Sequence, residues 1–358
     1  MGTVHLSILI HDLVLIFLTV LVLILIMMGA VLFYGFYQYK SLKNKRDWES
    51  VIDSRVSNAI VFSEEKEVQE SEFFHSHSQE GSFRNLLLEK LVSSKKKFSG
   101  VAQDEIQRLF VNYELNKEAV QNLNSTKPYI IAGGIQEVTA MKMTDSLPQV
   151  EKYLKHPAAQ VYNEAQYAMV VFKGFSGLAF LNTLDTVLSD WQQLRLLGSL
   201  QMIPNDTDLS VELWLKSSNL SVVIFTLKLI QKFQMLALYD QVKGLLYHAS
   251  EKVRLNAVLT LQVLENDRTK DDFMEAYPLQ PVKVQLAILR AMKYSNDKRY
   301  YDFFMTQLNN QPIVALKIEA AQALLALGFS ESLKETAHSK AVSEQIREIV
   351  KHVLQQKI

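Results

Sequence analysis

The sequence predicts an all-α chain, an N-terminal transmembrane helix followed by a solenoid of about eight stacked helix pairs. Three observations carry that expectation. An uncharged stretch runs from Leu13 to Tyr37, and a helical motif recurs at near-constant spacing from Ile131 to Ile346. Only seven prolines and twelve glycines occur in 358 residues, few of the breakers that a fold of short strands and turns would need.

The first element occupies residues 13–37, after a short N-terminal segment, 1–12. At about 1.5 Å per residue this stretch exceeds the roughly 30 Å hydrocarbon core and spans it with some tilt. No basic residue precedes it and no small-x-small cleavage site follows before Lys40, so it reads as a retained anchor rather than a signal peptide. Lys40, Lys43, Lys45 and Arg46 follow at once, which by the positive-inside bias leaves the N-terminus outside and the remainder cytoplasmic. His11 and Asp12 then sit at the outer interface. Gly29 and Gly35 are six apart, which does not match small-xxx-small helix pairing.

Residues 38–82 read as a basic juxtamembrane segment and linker. In KNKRDWESVIDSRVSNAIVF the apolar residues Trp48, Val51, Ile52, Val56, Ile60 and Val61 make a helical stripe, suiting an interfacial helix or, as we favour from sequence, a plain stalk. SEEKEVQESEFFHSHSQEGS is acidic and aperiodic, a composition that orders poorly. His75 and His77 lack further ligands at fixed spacing and read as solvated polar residues, so no metal is expected.

From Phe83 to Ile358 helical periodicity is nearly continuous. Apolar anchors at Ile131, Val161, Trp191, Val222, Val253, Val282, Leu316 and Ile346 are spaced 30, 30, 31, 31, 29, 34 and 30 residues apart. Such regularity is expected where one helix pair is repeated and stacked. Segments such as LPQVEKYLKHP, LAFLNTLDTVLSD and DDFMEAYPLQP between anchors supply the first helix of each pair and its turn.

HPAAQVYNEAQYAM, ASEKVRLNAVLTL, QPVKVQLAILRAM and QPIVALKIEAAQALLALG each join a turn, an apolar anchor and a small residue where paired helices meet. In this the chain resembles HEAT-repeat proteins over about three quarters of its length. With LNSTKPYIIAGGIQEV, VYNEAQ and SDWQQLRLLGSL it is similar, more narrowly, to bacterial, Bacteroidetes-type, membrane-anchored HEAT-repeat proteins. Where that group usually opens its first clear repeat with Lys-Trp-Tyr, this chain has Lys127-Pro128-Tyr129, and Gly133-Gly134 is expected to interrupt the helix that follows. The resemblance implies a bacterial inner-membrane location and association with envelope-polysaccharide machinery, a membrane glycosyltransferase in particular.

Chemistry is sparse. There are no cysteines, which removes thiol catalysis, and 38 basic residues balance 38 acidic ones, giving no field for nucleic acid. Phosphate-loop, dinucleotide, metalloprotease and nucleophile-elbow motifs are absent. His156, His248 and His338 fall in repeat turns, where capping is expected, as it is for Asp271 and Asp272 at a helix start. The sequons at Asn124, Asn205 and Asn219 face the cytoplasm in this topology and carry no sugar. An enzyme and a cofactor are therefore not expected.

The residue after each of the last four anchors is basic: Arg254, Lys283, Lys317 and Arg347. These form a candidate docking column for an acidic partner segment, with Tyr162 and Gln192 as the aromatic and polar half; the alternative role is bonding to neighbouring repeat turns. The functional expectation is a membrane-anchored cytoplasmic scaffold for a protein partner. The alternative is a HEAT-type, lyase-like enzyme subunit, which would need a deep apolar pocket with convergent polar groups.

Overall fold

The computed structural model describes residues 2–61, 72–204, 208–293 and 297–355, and every regular element among them is helical. The chain forms two compact units, Met1–Gln149 and Val150–Ile358. The sequon at Asn205 lies outside the described residues, as does most of the acidic part of the expected linker.

In the first unit, α1 (Gly2–Val61) is one unbroken helix of 60 residues. By length and composition it is the one described helix apolar enough to cross a membrane, and Phe17 to Tyr37 are exposed along it. Its distal part corrects the stalk expectation. Ile52 and Val56 are buried where α1 packs on α3 (Gly81–Lys95) and α4 (Val101–Asn112), so the middle of the stripe is core, Trp48, Val51 and Ile60 are half-buried, and Val61 at its end is exposed. Trp48 meets Phe83 edge-on, and Lys90 pairs with Asp53 at 3.1 Å. The segment just before α3 is also ordered: α2 (Glu72–His77) buries Phe74 against Phe83, and His77 stacks on Phe73.

The same unit contains α5 (Asn116–Leu123) and α6 (Pro128–Ala140), which pack closely. Gly133-Gly134 does not interrupt α6. A Cβ on Gly134 would lie 2.4 Å from the Leu123 backbone nitrogen, so this glycine lets two helix backbones touch, whereas a Cβ on Gly133 would meet nothing within 4 Å. Arg84 ties α3 to this pair, donating Nη2 to Glu118 Oε2 at 2.9 Å and to the Tyr113 carbonyl at 2.9 Å. A short helix, α7 (Leu147–Lys152), spans the boundary between the units.

The second unit repeats one arrangement. Its inner series comprises α8 (Ala159–Lys173), α9 (Asp190–Ser199), α11 (Leu220–Phe233), α13 (Glu251–Val263), α15 (Val282–Met292), α17 (Val314–Ala326) and α19 (Glu344–Gln355). Each packs on the next. The outer series comprises α10 (Asp208–Leu215), α12 (Tyr239–Gly244), α14 (Thr269–Ala276), α16 (Tyr301–Asn310) and α18 (Ser330–His338). Ahead of α9 the outer position is filled not by the expected α-helix but by a 3-10 segment, Gly174–Thr183. Gly177 lies there against the Met169 carbonyl, where a Cβ would sit 2.2 Å away.

The phase of each inner helix is set by its start. Ala158, Ser189, Asn219, Ser250, Pro281 and Ile313 are extended, non-helical residues immediately before a helix, and the third helical residue then points into the core. Those third residues are Val161, Gln192, Val222, Val253, Val284 and Leu316, all buried, and Ile346 holds the same buried place in α19. Two sequence anchors are thereby corrected: Trp191 is 71% exposed and Val282 is 38% exposed, one and two residues ahead of the true core positions. Gln192 is tolerated inside because its amide donates to the Asn163 carbonyl at 2.7 Å.

Two of the three histidines bond within their turns, whereas His338 is the last residue of α18, its Nδ1 2.8 Å from the Lys334 carbonyl. His156 Nδ1 accepts the Ala158 N–H at 3.1 Å and His248 Nδ1 accepts the Ser250 N–H at 3.0 Å, the same geometry in two repeats. Asp271 and Asp272 lie in the first turn of α14, where their carboxylates bond to side chains of other elements. Tyr300 Oη donates to Asp271 Oδ1 at 3.0 Å, and Asp272, 7% exposed, pairs with Lys243 at 2.6 Å. One acidic dipeptide thus links α14 to α12 and to the turn before α16.

Candidate functional site

Because the inner helices share one phase, equivalent positions on them form rows. The fourth position holds Tyr162, Gln193, Val223, Arg254, Gln285, Lys317 and Arg347. Lys283 is not in this row: it is the second residue of α15, its side chain 80% exposed and 4.0 Å from Glu251. The expected column of four basic residues is therefore corrected to three with a glutamine between them.

The members differ in what they touch. Arg254 donates Nε to the His248 carbonyl and Nη1 to the Leu279 carbonyl at 3.1 Å, stapling two successive turns. Lys317 is 7% exposed and donates to Gln345 Oε1 on α19 at 3.0 Å. Arg347 is half-buried, and its Nε has no acceptor among the described residues. Tyr162 is half-buried at the same position of α8, while Gln192 is interior. Arg254 and Lys317 thus hold neighbouring repeats together, while Lys283 is largely exposed and 4.0 Å from Glu251. Lys43, Lys45 and Arg46 are exposed on α1, and Lys40 lies on the same exposed stretch.

A different row carries the apolar surface. On α9, α11, α13, α15 and α17 the fifth position holds Leu194, Ile224, Leu255, Leu286 and Ile318, spaced 30, 31, 31 and 32 residues apart, while on α8 and α19 it is Asn163 and Glu348. Leu194 is 63% exposed and the other four are half-buried, each with one side packed on the core. Leu259 and Val263 on α13 are also exposed. Sequence reading missed this row because it was aligned on the core anchors; the same period read two residues later displays it.

The row is flanked by positive charge. On α11, α13 and α15 there are six cations, Lys228, Lys232, Lys252, Arg254, Lys283 and Arg290, against one acid, Glu251. Arg290 is discharged by Glu319 at 2.6 Å, and Lys228 lies 3.5 Å from Asp190. Lys232 is held by carbonyls, its Nζ 2.8 Å from that of Leu200, and so keeps its charge, as does Arg254. The outer helices α12, α14 and α16 have the opposite balance, with Asp240, Asp271, Asp272, Glu275 and Asp302 against Lys243 and Lys270.

At the N-terminal rim of α13 and α15 an open depression of about 410 Å³ is lined by residues including Glu251, Arg254, Leu279 and Gln280. Gln280 is 6% exposed; its amide donates to the Leu246 and Ala276 carbonyls, leaving Oε1 without a donor among the described residues. No group of three or more His, Asp or Glu side chains capable of holding a metal occurs among the described residues.

No family model matches the chain, and no curated protein matches it. Among solved structures it is similar to a crystallised engineered protein, at 15% identity over 77% of this chain and 85% of that one, with a TM-score of 0.36. It is also similar to the complex of CpcE and CpcF of phycocyanin lyase from Nostoc sp., at 11% identity over 84% of this chain and 93% of that one, with a TM-score of 0.23. Superpositions this loose carry no argument about activity, and the all-helical, pairwise-repeated architecture rests on the chain's own geometry.

Proposed function

We propose that the chain is a membrane-anchored scaffold of HEAT-like repeats. In this reading α1 crosses the bacterial inner membrane once, the N-terminus lies outside, and the helical remainder holds a protein partner at the cytoplasmic face. One observation carries it: a single helix contains both the apolar span and Ile52 and Val56, which sit in the core of the first unit. Whatever that unit holds is tied to the bilayer by an unbroken helix instead of a flexible tether. The common third-position phase of the inner helices supports the HEAT-like reading, since stacked repeats present continuous faces suited to partners rather than closed pockets. The family resemblance suggests a membrane glycosyltransferase of envelope-polysaccharide assembly as the partner class.

Affinity purification of the full chain from native membranes in mild detergent tests this reading. A stoichiometric membrane protein should accompany it. Recovery of the chain alone, or with a bound small molecule and no protein, would overturn the scaffold in favour of nothing or of a lyase-like subunit respectively. Reporters fused after Asn44 and after Gln355 should both give the cytoplasmic signal.

A further inference from the structure

We propose that the solvent face of α11, α13 and α15 docks an acidic, amphipathic helical segment of a protein partner. This rests on the scaffold reading and supplies the partner's chemistry. The apolar component is Ile224, Leu255 and Leu286, one from each helix at an equivalent position, widened by exposed Leu259. Neighbouring packed helices lie about 10 Å apart. A partner helix laid across them advances the same distance in about seven residues, so apolar side chains at i, i+7 and i+14 meet the three in turn.

Charge selects the sign. Lys252 and Lys283 are exposed beside this row, and Arg254 and Lys232 are bonded to neutral carbonyls, which satisfy their hydrogen bonds without neutralising them. Glu251, 4.0 Å from Lys283, is the one acid on these three helices, and Lys252 adds a cation beside it; the acids on α12, α14 and α16 include Asp272 and Asp271, engaged by Lys243 and Tyr300. A cationic, partly apolar face in a chain of zero net charge is a local field that captures an acidic partner and repels a basic one. An anionic lipid surface offers similar charge, but a row of half-buried residues one helix-spacing apart is shaped for side chains of a segment and not for a plane.

The test uses the full chain in neutral phosphatidylcholine nanodiscs. The probe is a fluorescent helical peptide of about 22 residues with Leu at heptad spacing and Glu on its flanks, compared with Gln and Lys versions. The Glu peptide should bind at least tenfold more tightly than either, and less tightly as salt rises from about 50 to 500 mM, a roughly threefold change in Debye length. Lys252→Glu/Lys283→Glu should cost at least tenfold at unchanged helicity, and Leu255→Gln/Leu286→Gln should cost as much. Equal binding of Glu and Lys peptides, no binding, or an unaffected Lys252→Glu/Lys283→Glu variant would overturn the proposal. So would co-flotation of the nanodiscs with phosphatidylglycerol vesicles that depends on the same two lysines, which would assign the face to lipid. Purification from membranes separates the levels: if the charge-reversed variant retains the unaltered chain's partner, the docking face is wrong and the scaffold stands. If the unaltered chain has no partner, the scaffold itself fails.

Discussion

Tyr239 on α12 donates its hydroxyl to Asp272 on α14 at 2.7 Å, both side chains interior, with Thr269 3.0 Å from the same oxygen. Lys243 closes the far side of the carboxylate at 2.6 Å. Asp272→Ala removes the acceptor of one buried hydroxyl and the partner of one ammonium. The expected loss is about 3 kcal/mol, because breaking a buried pair strands what remains. Thermal melts of the full chain in detergent give the size, and a change within about 0.5 kcal/mol, the range of an ordinary surface substitution, would refute it.

Stability should fall at alkaline pH. Burial pushes the Tyr239, Tyr277 and Tyr300 phenols up to about 12 from an ordinary value of 10. A raised folded-state value favours the protonated form, so these contributions are complete below about 10 and are lost as pH rises through about 12. Lys243, raised chiefly by its hydrogen bond to Asp272, acts in the same direction. Melting temperature should decline from pH 10 upward, and the tyrosinate absorbance of these three phenols, isolated as the difference from single Tyr→Phe variants, should appear together with unfolding.

Tyr277 separates from the other two. Its buried hydroxyl has no partner among the described residues, and burial alone raises it. Tyr277→Phe should therefore be neutral or stabilising by about 1 kcal/mol, whereas Tyr239→Phe should destabilise by a similar amount. Equal effects of the two substitutions would show that the networks do not differ as described.

Adjacent glycines on α6 give a matched pair. Gly134→Ala places a methyl against the Leu123 backbone and should force α5 and α6 apart at a cost of several kcal/mol. Gly133→Ala meets open space and should stabilise by about 0.5–1 kcal/mol through helix propensity. Denaturant midpoints for both variants check the contrast.

Lys283→Glu and Lys317→Glu should part company. The first lies on an 80% exposed side chain and should leave the melt unchanged. The second buries a carboxylate opposite Gln345 Oε1 and should lower it clearly. Ala320→Asp, at a fully buried position of the same helix, should cost roughly 3 kcal/mol or more.

Most of the helical plan was legible because period and small residues are local signals: Val161, Val222, Val253, Leu316 and Ile346 are core in both readings. The two misplaced anchors share a cause. Helix phase is fixed where the chain turns from extended to helical, at Ser189 and Pro281; hydrophobicity alone preferred Trp191 to a satisfied Gln192 and cannot rank Val282 against Val284. Gly134 and Ile52 were misread for another reason. What each touches, Leu123 for one and α3 and α4 for the other, lies outside its own helix, and no single-segment pattern encodes a contact.

In the proposed membrane-anchored reading, the continuity of α1 would make it a shaft as well as an anchor. Successive residues of an unbroken helix turn by about 100°, so in that reading the azimuth at which the first unit would face the bilayer is set by the count of residues between Tyr39 and Trp48. One alanine inserted after Lys43 would turn the unit by about 100° while lifting it only about 1.5 Å; seven would nearly restore its heading at about 10 Å greater height. A partner held against the membrane should tolerate the second change better than the first, so this helix sets direction more strictly than distance.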